Sequence, residues 1–312
     1  MRIYSLIFAL LLPSCVIGGE KPASQTSVSH SNGVFEVHAN VKNNYTTLST
    51  YIFGHSLIDH AAGSETNVPI WMSALARRAG FKYAVDGQFG FLPSHAQLPP
   101  QPNWGYEGVT SAWDSAGAAS FADADYDTIL LTPANFIQYQ PSTAPYEWGD
   151  SVNTSPLDAT LKIIDWVLVQ EPGITIYIYE NWPDMAPFMS SGLDAYNDYT
   201  RNEFHQWWVD YRNEITAVRR GADVRLIPVG STIARLLADT DLSKISRGAL
   251  YEDDAPHGRP TIYFLASLVT YTAMYGERPP ADFVIPSTVH SLVRDNYAQI
   301  IEIIWDEVGL RG

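Results

Sequence analysis

The chain has 312 residues, 46% of them hydrophobic and 17% charged; this allows a sizeable core, lies within reach of one α/β domain, and excludes global disorder. Its 34 acidic and 19 basic side chains give a formal net charge of −15. Such a surface repels phosphate backbones and offers anionic lipid no basic patch, so neither nucleic acid nor a membrane surface is an expected partner.

The N-terminus reads as an export signal. Arg2 supplies a positive charge, Ile3 to Leu12 is largely apolar, and small residues follow at Ser14, Cys15, Gly18 and Gly19. The apolar run is too short for a membrane span, which needs roughly 20 residues. Two processing readings compete. Leu12-Pro13-Ser14-Cys15 resembles a lipobox, with a lipid anchor on Cys15, although Pro13 is foreign to one. Plain cleavage near Gly18 or Gly19 is the reading adopted, giving signal peptide 1–19 and a periplasmic or extracellular location. Cys15 is the only cysteine, so a mature chain cut after it has no cysteine nucleophile and no cysteine-rich metal site.

Residues 20–45 are rich in Ser, Thr, Asn and Gly, with a short apolar patch at Val34 to Val37, and read as a tether. From there on no linker or repeat interrupts the pattern, so 46–312 is taken as one domain. Apolar, β-rich runs recur at Leu48 to Phe53, Phe81 to Val85, Asp127 to Leu131, Ile174 to Tyr179 and Val224 to Val229. Helical periodicity occupies Ile70 to Arg78, Leu157 to Val169, Asp194 to Arg220, Pro260 to Tyr275 and Ser291 to Val308. Continuous apolar strands alternating with helices predict a three-layer α/β/α sandwich around a five-stranded, mainly parallel sheet. In such sheets ligands bind beyond the carboxyl ends of the strands, so the residues just after each strand carry most information.

After the first strand comes Gly54-His55-Ser56-Leu57. Glycine permits a tight turn, and a serine there is placed either to attack a substrate or simply to cap a helix. Near the other end, Asp254 and His257 stand three apart ahead of Pro260. A serine hydroxyl needs a base to take its proton, and a carboxylate to orient that base; a polar capping loop is the plainer alternative. Gly87 and Gly90 follow the second run and Asn135 follows the third, where a backbone N–H and a side-chain amide can reach an oxyanion. Their plainer readings are a Gly-rich turn and an Asx turn. The remaining histidines, His60, His95, His205 and His290, have no repeating ligand spacing and read as surface or satisfied core residues.

Taken together and in this order, Ser56, Gly90, Asn135 and the Asp254/His257 block resemble the SGNH (GDSL-like) hydrolase family, over nearly the whole chain after the tether. The resemblance implies a flavodoxin-like fold and a serine esterase. In it, Ser56 is the nucleophile, His257 the base and Asp254 its orienting acid. Ser56, Gly90 and Asn135 form the oxyanion hole, and neither a metal nor an organic cofactor is required. Two departures stand out: His55 replaces the usual Asp, and Thr132-Pro133-Ala134-Asn135 replaces the usual Gly-x-Asn-Asp.

The chain has 9 Trp and 18 Tyr, with Trp104, Trp113, Trp148 and Trp182 in expected active-face loops. These could stack on sugar rings or merely pack the insertions. With export and acidity they suggest an O-acetyl ester on a carbohydrate, with His55, Asn181 and Trp182 in substrate binding. The rivals are a lipid, aryl or thioester hydrolase of the same fold, a non-catalytic carbohydrate-binding protein on this scaffold, and an exported scaffold whose Ser56 only caps a helix.

Overall fold

The structure is a computed structural model that describes residues 45–60, 64–100, 105–133, 140–146, 153–255 and 257–309. The export signal, Cys15, nearly all of the tether, Trp104, Asn135 and Trp148 lie outside the described residues. In chain order the elements are β1 (Thr47–Gly54), α1 (Val68–Ala79), β2 (Lys82–Phe89), α2 (Leu92–His95), α3 (Ala112–Ala116), β3 (Thr128–Leu131), α4 (Pro156–Gln170) and β4 (Thr175–Tyr179). Then come α5 (Gly192–Tyr199), α6 (His205–Val218), β5 (Asp223–Ile227), α7 (Val229–Asp239), α8 (Arg247–Leu250), α9 (Pro260–Tyr275), α10 (Ser291–Asp295) and α11 (Tyr297–Glu307).

The five strands form one sheet in the order β2-β1-β3-β4-β5, and every pairing between them is parallel. This is the flavodoxin-like order, whose switch point lies between β1 and β3. β1 is therefore an interior strand, paired on both sides, and Ser56 emerges at the switch point.

Both faces of the sheet are buried, as the continuous apolar runs require. Side chains alternate between the faces with period two. Leu48, Ile52, Leu130, Tyr177 and Tyr179 join one apolar cluster with residues of α1, α7, α9 and α11. Tyr51, Phe53, Ile129, Leu131, Ile176 and Ile178 join the other, with residues of α4 and α6. α9 is buried around its whole circumference; Ile262, Phe264, Leu265, Leu268 and Val269 are fully buried, and the hydroxyls of Ser267, Thr270 and Thr272 bond back to the helix's own carbonyls.

Local signals set the helix ends. The Asn67 side chain accepts from the Ile70 N–H at the start of α1, and Gly80, at φ 82°, ends it in the left-handed region. Ser155 and Asp158 form a capping box on α4. The expected long helix over 194–220 is α5 and α6 joined by a π-helical turn, Thr200–Phe204. α7 was not expected: it begins at Val229, the last residue of the fifth apolar run, and the strand itself stops at Ile227.

Candidate active site

β1 ends at Gly54, and the chain turns at once, with the N–H groups of Ile58 and Asp59 both donating to the His55 carbonyl, at 2.9 and 3.2 Å. The turn is tight enough that a Cβ on Gly54 would stand 2.6 Å from Ile58 Cγ2, so glycine is required by the close approach. The Gly54 carbonyl is held by the Gly90 N–H at 2.9 Å and by His95 Nε2 at 3.2 Å. Gln88 Nε2 donates to His95 Nδ1 at 2.8 Å, which places the His95 hydrogen on Nε2. Burial and the neighbouring His55 push His95 down to about 3, so this ring is a neutral brace.

His55 is likewise structural. It is buried; its Nδ1 accepts from the Leu57 N–H at 3.2 Å, and its Nε2 faces the Pro133 carbonyl at 3.4 Å. Burial holds it down to about 4. With its nitrogens engaged inside the protein, it does not reach a substrate. The expected substrate contact is corrected: His55 ties the nucleophile turn to the end of β3.

Ser56 and His257 do converge. His257 Nε2 lies 3.0 Å from Ser56 Oγ. The carboxylate behind the ring is not Asp254, however. His257 Nδ1 donates to Asp253 Oδ2 at 2.6 Å, whereas Asp254 turns to Arg247, with Nη2 to Oδ1 at 3.0 Å. The reason lies in the loop. Asp253 Oδ1 also accepts from the backbone N–H groups of Ala255, at 3.0 Å, and His257, at 2.9 Å, as in an Asx turn. That closure aims the Asp253 carboxylate at the His257 ring and leaves its neighbour facing Arg247. Burial alone would raise the Asp253 carboxyl; the bonds from the His257 ring and backbone, its charge, and the Ala255 N–H outweigh it and hold the group below the usual carboxylate range.

The base loop is fastened at its root. Glu252 N–H donates to the His257 carbonyl at 2.8 Å, and Arg259 N–H to the Leu250 carbonyl at 2.7 Å. Tyr263, on α9, donates from its hydroxyl to the Ser56 carbonyl at 2.6 Å and packs edge-on against Trp182. A fourth histidine, His60, stacks on His257. Asp253 and Tyr263 escaped sequence reasoning, and only Asp253 had a signal, as one of two adjacent aspartates before His257; His95 is the satisfied core residue it was read as, while the stacking of His60 on His257 had no local signal.

For the oxyanion, Gly90 does not serve as expected. β2 runs to Phe89 rather than ending near Val85, so the Gly90 N–H continues the ladder to Gly54. The Ser56 N–H is bonded to no acceptor among the described residues. Asn135 lies outside them.

The loop after β4 also differs from expectation. The Glu180 carboxylate accepts from the Ser231 N–H in the first turn of α7 at 2.6 Å and from His205 Nδ1 at 2.7 Å. The Gly230 N–H donates to the Glu180 carbonyl at 3.0 Å. These bonds draw the loop under α7, so Asn181 is fully buried and Trp182 is 1% exposed. Neither can hold a sugar, which corrects both assignments. The loop still touches the segment that carries the base, because the Met185 N–H donates to the Asp254 carbonyl at 3.0 Å.

His205 lines a separate cavity of about 390 Å³ with Arg201, Arg235, Asp239 and Glu307, which does not include Ser56. No group of three or more His, Cys, Asp or Glu among the described residues could hold a metal ion, and no described helix is long and apolar enough to cross a membrane.

No protein-family model matches the chain and no curated protein sequence is similar to it. Solved structures similar in backbone path include the following two. One is a Clostridium thermocellum family 3 carbohydrate esterase, with TM-score 0.41 and 13% identity over 72% of this chain and 94% of that one. The other is described as a GDSL-like lipase from Parabacteroides merdae ATCC 43184, with TM-score 0.41 and 8% identity over 76% of this chain and 98% of that one.

Proposed function

We propose that the protein is a serine esterase in which Ser56 attacks the ester carbonyl. The observation that carries this reading is the line Ser56 Oγ–His257 Nε2–Nδ1–Asp253 Oδ2, with gaps of 3.0 and 2.6 Å. A hydrogen-bonded carboxylate fixes the His257 hydrogen on Nδ1 and leaves the Nε2 lone pair facing the serine. His257 takes the Ser56 proton as the Oγ–carbonyl bond forms, then gives it to the departing alcohol. Water attacks the acyl-enzyme with the same base. The Ser56 N–H is one donor to the oxyanion, and the Asn135 amide is proposed as another. A serine that merely caps a helix has no use for this base and acid behind it.

The domain is 46–312, preceded by a tether and an export signal, so the enzyme works outside the cytoplasm. An O-acetylated carbohydrate remains a second reading of the substrate. It rests on Phe89 and Phe91, which are 56% and 43% exposed at the carboxyl end of β2. β2 pairs with β1 beside the nucleophile turn, and flat aromatic faces suit a sugar ring. The test is a chain-length series of p-nitrophenyl esters, plus an acetylated oligosaccharide, with wild type and Ser56→Ala. The expected result is hydrolysis of short-chain esters that disappears in the folded variant. Equal turnover by Ser56→Ala would end the reading.

A further inference from the structure

Shortly after Ser56, the imidazole of His60 lies flat on that of His257, with ring centroids 4.3 Å apart and planes 9° from parallel. His60 Nε2 is 3.1 Å from Glu252 Oε2; an ionised carboxylate can only accept, so the hydrogen is on Nε2. The His60 backbone is clamped by Thr66, with its N–H donating to the Thr66 carbonyl at 2.9 Å and its carbonyl accepting from Thr66 Oγ1 at 2.7 Å. Glu252 is anchored in turn by its own N–H on the His257 carbonyl. Arg259 Nη1 approaches its other carboxylate oxygen at 3.9 Å. A second histidine–carboxylate pair, held from two distant parts of the chain, thus covers one face of the base.

We infer that His60, oriented by Glu252, is a positioning residue for His257; the inference rests on the esterase reading above. His257 has two in-plane anchors in the resting enzyme, Asp253 and Ser56 Oγ. The second is lost when Oγ becomes acylated. From then until water attacks, Asp253 alone would leave the ring free to tilt about that one bond. The stacked face of His60 removes that freedom, because tilting His257 means sliding or lifting a ring that Glu252 and Thr66 hold. The stack also meets the change in charge: when His257 becomes imidazolium, it lies over a π face whose own N–H is drawn towards a carboxylate, an arrangement that favours a cation. His60 touches no reacting atom and acts through His257.

The experiment measures kcat and KM for p-nitrophenyl acetate with the full chain as His60→Ala, His60→Phe, Glu252→Gln and Ser56→Ala. His60→Ala should lower kcat about 10-fold with KM within about two-fold. His60→Phe, which keeps a flat ring without the hydrogen bond, should recover most of the loss. Glu252→Gln, at a partly exposed position, should lower kcat about three-fold with KM unchanged, and it decides the matter if His60→Ala fails to fold. Wild-type kcat in His60→Ala or in Glu252→Gln would overturn the inference. So would equal losses in His60→Ala and His60→Phe, or a change confined to KM. If Ser56→Ala is inactive while the other variants match wild type, only the positioning role fails. If Ser56→Ala is active, the esterase reading fails with it.

Discussion

Asp253 and His257 are joined twice: Oδ2 accepts from the ring Nδ1 at 2.6 Å and Oδ1 from the backbone N–H at 2.9 Å. One carboxylate therefore both shapes the loop and orients the base that the loop carries. Asp254, its neighbour in sequence, pairs with Arg247 instead.

The two aspartates should separate cleanly in kinetics. Asp253→Asn removes the acceptor that fixes the His257 hydrogen on Nδ1 and should lower kcat by about 10⁴-fold. Asp254→Asn breaks only an exposed ion pair, and kcat should stay within about three-fold. Steady-state hydrolysis of p-nitrophenyl acetate distinguishes them; the opposite ranking would restore Asp254 as the acid.

Stability should fall on acidification because of the braces behind the nucleophile. Burial, the largest cause in each case, lowers His55 to about 4 and His95 to about 3. Unfolded, each takes a proton near its ordinary value of about 6.5. Between that value and the folded one the unfolded chain holds more protons, so stability is complete above about pH 6.5 and declines as pH drops. His55 alone accounts for a loss on the order of 3 kcal/mol by pH 4. Urea unfolding at pH 7.5, 6 and 5 measures the slope, and His95→Gln should flatten it. A slope unaffected by that change would show that other groups carry the acid sensitivity.

Trp182→Ala should act as a core truncation. The side chain is 1% exposed and packs on Tyr263 at 5.8 Å, so the cost should be about 3–5 kcal/mol. Activity on sugar-bearing and sugar-free esters should fall in the same proportion, because Tyr263 holds the Ser56 carbonyl. A KM rise limited to an acetylated oligosaccharide would mean that Trp182 meets the sugar after all.

Gly54→Ala should strain the nucleophile turn chiefly through Ile58. Its Cβ would stand 2.6 Å from Ile58 Cγ2 and 3.1 Å from Ile52 Cγ2, and such overpacking costs about 1–3 kcal/mol. In an Ile58→Ala background the same substitution should cost clearly less, with only the Ile52 contact left. A double-mutant cycle on chemical unfolding reads this coupling; simple additivity would show that the turn backbone, not Ile58, excludes a side chain.

The strands were legible because both faces of the sheet are buried, which leaves continuous apolar runs. β2 was read short because Asp86, Gly87 and Gln88 look like a turn. In the fold, Asp86 is a buried strand residue that accepts from Ser111 Oγ, the Trp113 N–H and Tyr126 OH, partners that no local pattern announces. α7 was hidden for a related reason. Val229-Gly230-Ser231-Thr232 carries no helix-start signal of its own: Pro228 at the N-cap makes no side-chain bond, and the helical start is fixed by Glu180 on the Ser231 N–H, a contact far away in sequence. Ser56 and His257 were each ambiguous in place, a capping serine and a polar loop being the plainer readings; only the ordered set of blocks, through the family it resembles, singled them out. The choice between Asp253 and Asp254 was not legible, since it depends on which carboxylate the Ala255 and His257 amides close upon. Burial of Asn181 and Trp182 followed from α7 and was invisible without it.

Ser56 leaves an interior strand of the sheet, with β2 on one side and β3 on the other, while Asp253 and His257 ride together on a loop whose carboxylate is 46% exposed. Segments of these two kinds open at different free energies, the interior strand near the global limit and the loop well below it. Warming should therefore switch the catalyst off before it melts. Amide hydrogens of the 252–258 loop would exchange and turnover would fade while those of β1 stay protected, and cooling would bring the activity back.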